Sequence, residues 1–453
     1  MKSTILKLWT GSLLSSLVLM AGGARAEWLN QTTADALGNH LVDGVTGPAF
    51  TLTAKEGHIS TAEGSSVYIW GLATNSGPTQ YPGPTLIVNQ GDPVSITLKN
   101  TLPFPVSLVF PGQTVTATGG NPGLLTREAT NTPTGDVTYT FTASQPGTYA
   151  YNSGTRQDLQ IEMGMTGALI VRPAGFSPSN KATWKGYNTT DSAFDQEFLF
   201  LLTEMDPNIH DDVEHQMLAN PTASPVIDTT THFANYWFIN GRTAPDTMMI
   251  PGSKALPAQP YDAFPMMHPN QNLLMRMVGG ARDPHPFHHH ANHARNIARN
   301  GRVLQSTPGG PTADLSYLTF TIPTYPGETT DAIFTWTGAG LGWDMYGHAP
   351  GSPTTPYNAV TNPDGLRANE DPHDHGKPFP VVLPTEQDVD FGQWYGGSPF
   401  LGTPAPLPPN IGGFDPTGAF LYMWHSHAER EIVNNNVFPG GMLTMLLIEP
   451  WAK

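Results

Sequence analysis

The sequence predicts an all-β protein of two β-sandwiches in tandem, and three observations carry that reading. Glycine (47) and proline (44) are abundant while charged residues make up only 13%. Short strands joined by tight turns suit that balance better than long amphipathic helices do. Short runs of β-branched, aromatic and other apolar residues recur between Pro-Gly and Gly-Asp turn signals. The second half repeats the first in kind, each closing on an apolar strand, Gly167 to Val171 and Met442 to Ile448.

In chain order, residues 1–26 read as a secretory leader. Lys2 and Lys7 form its basic start, Leu8 to Met20 its apolar run, and Ala24-Arg25-Ala26 its cleavage site. The apolar run falls short of the about 20 residues that a membrane-spanning helix needs. The mature chain is expected to begin near Glu27 and to be periplasmic or secreted, with no membrane span. Residues 27–175 are expected to form the first sandwich, with strands at Val67–Leu72, Thr85–Val88, Val94–Leu98, Val137–Phe141, Thr148–Tyr151 and Gly167–Val171. Val94-Ser-Ile-Thr-Leu98 alternates as a half-buried strand should, and this half shows an antiparallel pattern with no convincing helix.

The polar stretch 176–195 reads as a linker. Residues 196–453 are expected to form the second sandwich, with strands at Phe198–Leu202, Asn235–Ile239, Leu273–Val278, Tyr317–Ile322 and Ala332–Trp336 before the closing strand. A Pro/Gly-rich insertion at about 347–413 interrupts it; stretches this long without strand signals are lids or disordered loops. Inside the insertion, Asp371-Pro-His-Asp-His375 reads as a solvated loop, with weak metal binding as the alternative.

Charge and cysteine content narrow the function. The net charge is −16, and removal of the three basic leader residues makes it −19. An acidic surface argues against nucleic acid or anionic membrane as a partner and favours cations. The short Arg-rich run Ala294 to Arg302 does not change that. The chain has no cysteine, so no thiolate is available to a metal.

Two histidine segments stand out. Tyr422-Met-Trp-His-Ser-His-Ala-Glu-Arg-Glu431 reads as a strand end, on which His425 and His427 share one face and Ser426 the other. Upstream lies His285-Pro-Phe-His288-His289-His290-Ala-Asn-His293. Each segment supplies half of a metal site, and the chain between them has to bring the halves together. His289 faces away from His288 and His290 if the segment is extended; His293 fits either the site or the solvent.

These residues resemble the multicopper oxidase family. Pro82-Gly-Pro-Thr-Leu-Ile-Val-Asn-Gln-Gly-Asp92 with Asn100 resembles the opening of that family's first cupredoxin domain, and Gly147 to Tyr151 with Met163 to Val171 resembles its close. Phe238-Ile-Asn-Gly-Arg242, the His285 to His290 segment and His425-Ser-His427 resemble its later motifs. The resemblance implies tandem cupredoxin-like Greek-key β-sandwich domains, two of them, or three in a shrunken version. It implies copper as the cofactor: a type 1 centre with a cysteine ligand, and a trinuclear cluster held by four His-x-His motifs.

Matched residue by residue, the chain keeps part of that apparatus. His285 matches a type 1 ligand, and His288, His290, His425 and His427 match cluster ligands. Ser426 stands where the cysteine belongs, and Glu431 where the second type 1 histidine is expected. Met442 is the candidate axial ligand, displaced by several residues. At the first two motifs Val109 and Pro111, and Asn152 and Gly154, replace the histidines. A hydroxyl is no substitute for the thiolate that defines a blue-copper centre. Glu431 either ligates a hard cation beside His285 or forms an ion pair with Arg430 or a neighbouring basic residue. Methionines at 248–249 and 266–267 are either soft copper(I) ligands or core filler.

The expected function is a copper-binding, multicopper-oxidase-like protein with a reduced histidine site, serving copper handling or a redox role. It would hold one or two copper ions per chain, with zinc or manganese as substitutes. The alternatives are an active copper-dependent oxidase acting on a metal ion or a small phenolic substrate, and a metal-free scaffold. Laccase-like turnover is not expected. Two-domain members of the family often form trimers, so the resemblance admits a homotrimer.

Overall fold

The computed structural model describes residues 40–448, apart from 75–76, 343, 345, 347, 368–369, 378–389, 392–393 and 396–419. Residues 1–26, expected to be a leader, and much of the insertion therefore lie outside the described residues.

Two pairs of sheets follow one another along the chain, as tandem cupredoxin-like sandwiches. The first pair uses β1 (Val45–Thr46), β2 (Ala49–Ser60), β3 (Ser66–Thr74), β4 (Leu86–Asn89) and β5 (Pro93–Asn100). It continues with β6 (Leu108–Val109), β7 (Thr116–Gly119), β8 (Val137–Thr142), β9 (Gly147–Ser153) and β10 (Thr166–Arg172). One sheet runs β3-β2-β5-β8-β7 and the other β1-β4-β10-β9-β6. The alternation in β5 sends Val94, Ile96 and Leu98 into the core between them. The sheets are mixed rather than purely antiparallel: β2 pairs parallel to β5, and β4 parallel to β10. Some strands next in sequence pair antiparallel, as β2 with β3 and β9 with β10, while others, such as β3 and β4 or β4 and β5, lie in different sheets, so those connections cross the sandwich.

The second pair uses β11 (Gln196–Met205), β12 (Tyr236–Ile239), β13 (Met266–Met267), β14 (Asn272–Gly279), β15 (His285–His289), β16 (Ala294–Arg299) and β17 (Arg302–Val303). β18 (Tyr317–Thr319), β19 (Thr321–Thr324), β20 (Thr329–Thr335), β21 (Phe420–Ser426) and β22 (Leu443–Ile448) complete it. One sheet is ordered β12-β11-β14-β20-β16-β17, with β18 beside β16; the other is β13-β22-β21-β15-β19. The histidine segments are therefore neighbouring strands, β15 and β21, in the middle of one sheet.

A helix, α1 (Pro207–Ala219), is absent from the sequence expectation. Its signals are present: Asp206 accepts from the Asn208 N–H as N-cap, and Pro207 occupies the first turn. Ile209, Val213 and Met217 recur at helical spacing and pack into the first sandwich's core. The apolar face is narrow, which explains why strand patterns on either side dominate the reading.

The 176–195 stretch joins the sandwiches but is not a free polar tether. Trp184, Tyr187 and Phe194 are buried against Leu274, Ile297 and Ile333 of the second sandwich. Most of its polar residues are exposed or half-exposed between three aromatic anchors, while Thr189 and Ser192 are buried.

The sandwiches meet through β9 and β10 on one side and β11 and β14 on the other. Ala150, Ala168 and Ile170 pack on Leu199, Leu201 and Val278. β10 and β11 are buried along their whole lengths, so their sequences are nearly continuous apolar runs. The charges that interrupt them are paired. Glu197 accepts from Arg172 and from Arg276 Nε (2.6 Å), and Thr148 links Arg276 (2.8 Å) to Asp331 (2.6 Å). Burial pushes the Glu197 carboxyl up, but Arg172 and Arg276 outweigh it and hold it at about 2. Among the described residues no helix is long and apolar enough to cross a membrane.

A histidine face on the second sandwich

β15 alternates along its length: His285, Phe287 and His289 turn inward while Pro286 and His288 are half-exposed. Its register against β21 sets His288 opposite His425, Phe287 opposite Ser426 and His289 opposite Trp424. Directly opposed residues point to the same face of a sheet. His288 and His290 therefore share a face with His425 and His427, two residues apart on each strand.

On that face the imidazoles converge. His288, His290 and His425 each bring a ring nitrogen to within 4.8 Å of the others, and His425 Nε2 lies 3.4 Å from His290 Nε2. The exposed His427 closes the group, its ring centroid 4.8 Å from that of His288. His425 Nδ1 donates to the Ser426 carbonyl at 2.7 Å, leaving Nε2 as the lone-pair nitrogen. His288 Nδ1 lies 2.9 Å from Thr321 Oγ1 on the flanking strand β19. Such outer contacts fix ring orientation and tautomer, as they do for metal-binding histidines.

Burial lowers the pKa of both rings to about 4, and the neighbouring imidazoles push in the same direction. The rings are thus neutral at physiological pH, the state that a metal ion requires. This donor set fits copper(II) or zinc; a purely nitrogen set is a poor match for manganese, which prefers oxygen.

The inward face is of another kind. His285 Nε2 lies 2.9 Å from Glu204 Oε2, and its Nδ1 lies 2.9 Å from Glu431 Oε2. Burial alone lowers its pKa, but the two carboxylates reverse that and raise it to about 9. His285 is a buried imidazolium with both nitrogens committed to N–H bonds, so it offers no lone pair to a metal. Ser426 Oγ donates to Glu431 Oε2 at 2.5 Å, completing the polar network.

Several sequence expectations change here. His285 is not part of the converging set, and Glu431 pairs with His285 rather than Arg430. Arg430 instead stacks on Phe233 and donates to the Ala234 carbonyl at 2.6 Å. Met442 is fully buried in the second sandwich's apolar core, and only its backbone serves the network, donating to the Glu431 carbonyl at 2.7 Å. His293 is exposed, edge-on to Phe320 and outside the converging set. His289 does face inward, against Trp424 and Phe334. Sequence reasoning missed Glu204, whose signal was a carboxylate inside the apolar run of β11.

In the first sandwich, β6 and β9 pair Val109 with Asn152. Two of the four positions where the resemblance expects histidines are therefore adjacent, and neither carries an imidazole. A type 1 centre does not fit the second sandwich either, since Ser426 offers a hydroxyl that donates a hydrogen bond to Glu431, and His285 is fully engaged.

Comparison with known proteins accounts for this architecture. Residues 53–175 match the family model described as multicopper oxidase. Multicopper oxidase MCE of Talaromyces pinophilus is 33% identical over 126 residues, covering 27% of this chain and 19% of that protein. Laccase-8 of Oryza sativa subsp. japonica is 25% identical over 327 residues, covering 70% of this chain and 51% of that protein. The chain thus spans about half or less of the length of these relatives. The blue copper oxidase of Nitrosomonas europaea superposes with a TM-score of 0.51 at 16% identity, over 88% of this chain and 85% of that one, which shows the shared fold. Residues 53–175 thus carry a match to a multicopper oxidase domain, the chain as a whole is similar to laccases, and its paired sandwiches share the fold of a blue copper oxidase.

Proposed function

We propose that this protein is an exported copper-binding member of the family, with a single histidine-held copper site in place of the family's two kinds of centre. The observation that carries this reading is the convergence of His288, His290 and His425 on one face, with His427 at its edge. Copper held there supplies a one-electron redox centre and a Lewis acid. The chain's own contribution is to keep His288 and His425 neutral through burial and to orient them through Thr321 and the Ser426 carbonyl. Copper handling or a redox role follows from such a site. The exposed His427 leaves one side open to solvent, which favours oxidation of a small phenolic or a metal ion as the second reading.

Metal analysis of protein purified from copper-supplemented cells tests the site. About one copper per chain is expected, lost in His288→Ala/His425→Ala, with no intense absorption near ~600 nm because no thiolate is present. Absence of bound copper would leave a metal-free scaffold. Oxidase turnover abolished by His425→Ala would establish the second reading over copper handling.

A further inference from the structure

Away from the histidine face, the stretch between β20 and β21 gathers a second set of donors. Asp344, His348, Glu370 and His375 bring one donor atom each to within 4.8 Å of one another. The four side chains are buried, none more than 5% exposed. His348 Nδ1 lies 2.9 Å from Asp344 Oδ2 and 3.6 Å from Glu370 Oε1. His375 Nδ1 lies 2.8 Å from Glu370 Oε1 and 3.8 Å from Asp344 Oδ2. Two independent histidine–carboxylate pairs would have no reason to converge. Here both imidazoles turn the same nitrogen toward the same two oxygens. The distances scatter about the ~3.3 Å edge of a tetrahedron with ligand bonds of about 2.0 Å.

The backbone holds the carboxylates in this pose. The Tyr346 N–H donates to Asp344 Oδ1 at 2.8 Å, and the Arg367 N–H to Glu370 Oε2 at 2.7 Å. Each carboxylate is left with its other oxygen aimed at the centre, that of Asp344 steadied by the Gly376 N–H at 2.7 Å. The imidazole rings stand 4.6 Å apart, centroid to centroid. The nearby Lys377 pairs with Asp374 instead of entering the cluster. One divalent cation balances the charge of both carboxylates.

We propose that Asp344, His348, Glu370 and His375 form a closed, tetrahedral site for a zinc-class divalent cation, which folds the loop from 344 to 377. Four protein ligands leave no open position, the mark of a structural rather than a catalytic zinc. The described part of this loop has no regular strand, so a metal cross-link supplies the order that a ladder or a core supplies elsewhere. Asp371 and His373 pair with each other at the surface, so only His375 of the 371–375 segment enters the cluster.

The test uses the full chain carrying His288→Ala/His425→Ala, so its outcome is independent of the histidine face. After chelation and dialysis, the protein is titrated with zinc, and separately with cobalt(II) as a spectroscopic stand-in. One tightly bound zinc per chain and the intense visible absorption of tetrahedral cobalt are expected. His348→Ala and Glu370→Gln should each weaken zinc binding at least tenfold, and zinc should protect the loop from protease. No zinc binding in this background, a weak six-coordinate cobalt spectrum, or unchanged affinity in His348→Ala would overturn the proposal. The cobalt spectrum reads the geometry without altering any ligand, so a variant that fails to fold does not spoil the test.

Discussion

At the scale of single residues, the pairing of His285 with Glu204 and Glu431 shows how one polar network excludes a metal. Its folded pKa of about 9 lies above the usual 6.5. The pairing therefore contributes fully below about pH 6.5 and is lost as pH rises through about 9. The contribution is on the order of 3 kcal/mol. Chemical denaturation of the wild type and His285→Gln at pH 6 and pH 10 checks this: the stability gap should shrink at the higher pH, and a constant gap would contradict it. Restoring the missing thiolate should not restore a type 1 centre. Copper-loaded Ser426→Cys is expected to show no intense band near ~600 nm, because His285 stays engaged. Gly441 supports the same network through a left-handed turn (φ +60), where a Cβ would come within 2.1 Å of the Glu431 carbonyl.

At the scale of elements, β15 and β21 depend on one ring. Trp424 is fully buried, with Phe200, Phe287 and Phe334 at centroid distances of 5.8, 6.3 and 5.1 Å. Its Nε1–H donates to the His290 carbonyl at 3.2 Å, tying the core to the histidine face. Trp424→Ala should cost ~3–5 kcal/mol and weaken copper binding as well. A thermal melt and a metal titration on the same variant measure both effects. The sheet register matters as much: a slip of β15 by one residue would turn His288 and His290 to the other face, away from His425 and His427.

At the scale of the whole molecule, the join between the sandwiches rests on apolar strands crossed by a buried ionic network. Removing one member leaves an uncompensated charge. Glu197→Gln should cost ~3–5 kcal/mol, more than a surface pair would. Glu197 titrates near 2 in the folded chain, below its usual 4.5. Its contribution is thus complete above about pH 4.5 and lost as pH falls through about 2. Denaturation of Glu197→Gln at pH 7 and pH 3 should show the gap to wild type narrowing in acid. Separation of one unfolding transition into two would locate the loss at the join.

The sequence by itself determined the all-β class, the tandem arrangement and the pairing of two histidine segments, because strand alternation and turn residues act over a few positions. It also determined the lack of a thiolate, which composition alone decides. The resemblance already grouped His288, His290, His425 and His427; only the tertiary structure decided that His285 is engaged by carboxylates instead of a metal. His285 and His288 are three residues apart, yet one is sealed between two carboxylates and the other faces its neighbours across a strand. Glu204 and Glu431 reach His285 from distant strands, and Asp344, His348, Glu370 and His375 have no common spacing. Helix α1 was legible from its cap and its proline but was outweighed by its strand neighbours. Local pattern fixes which face a residue takes; charge pairing and ligand geometry depend on segments that only folding brings together.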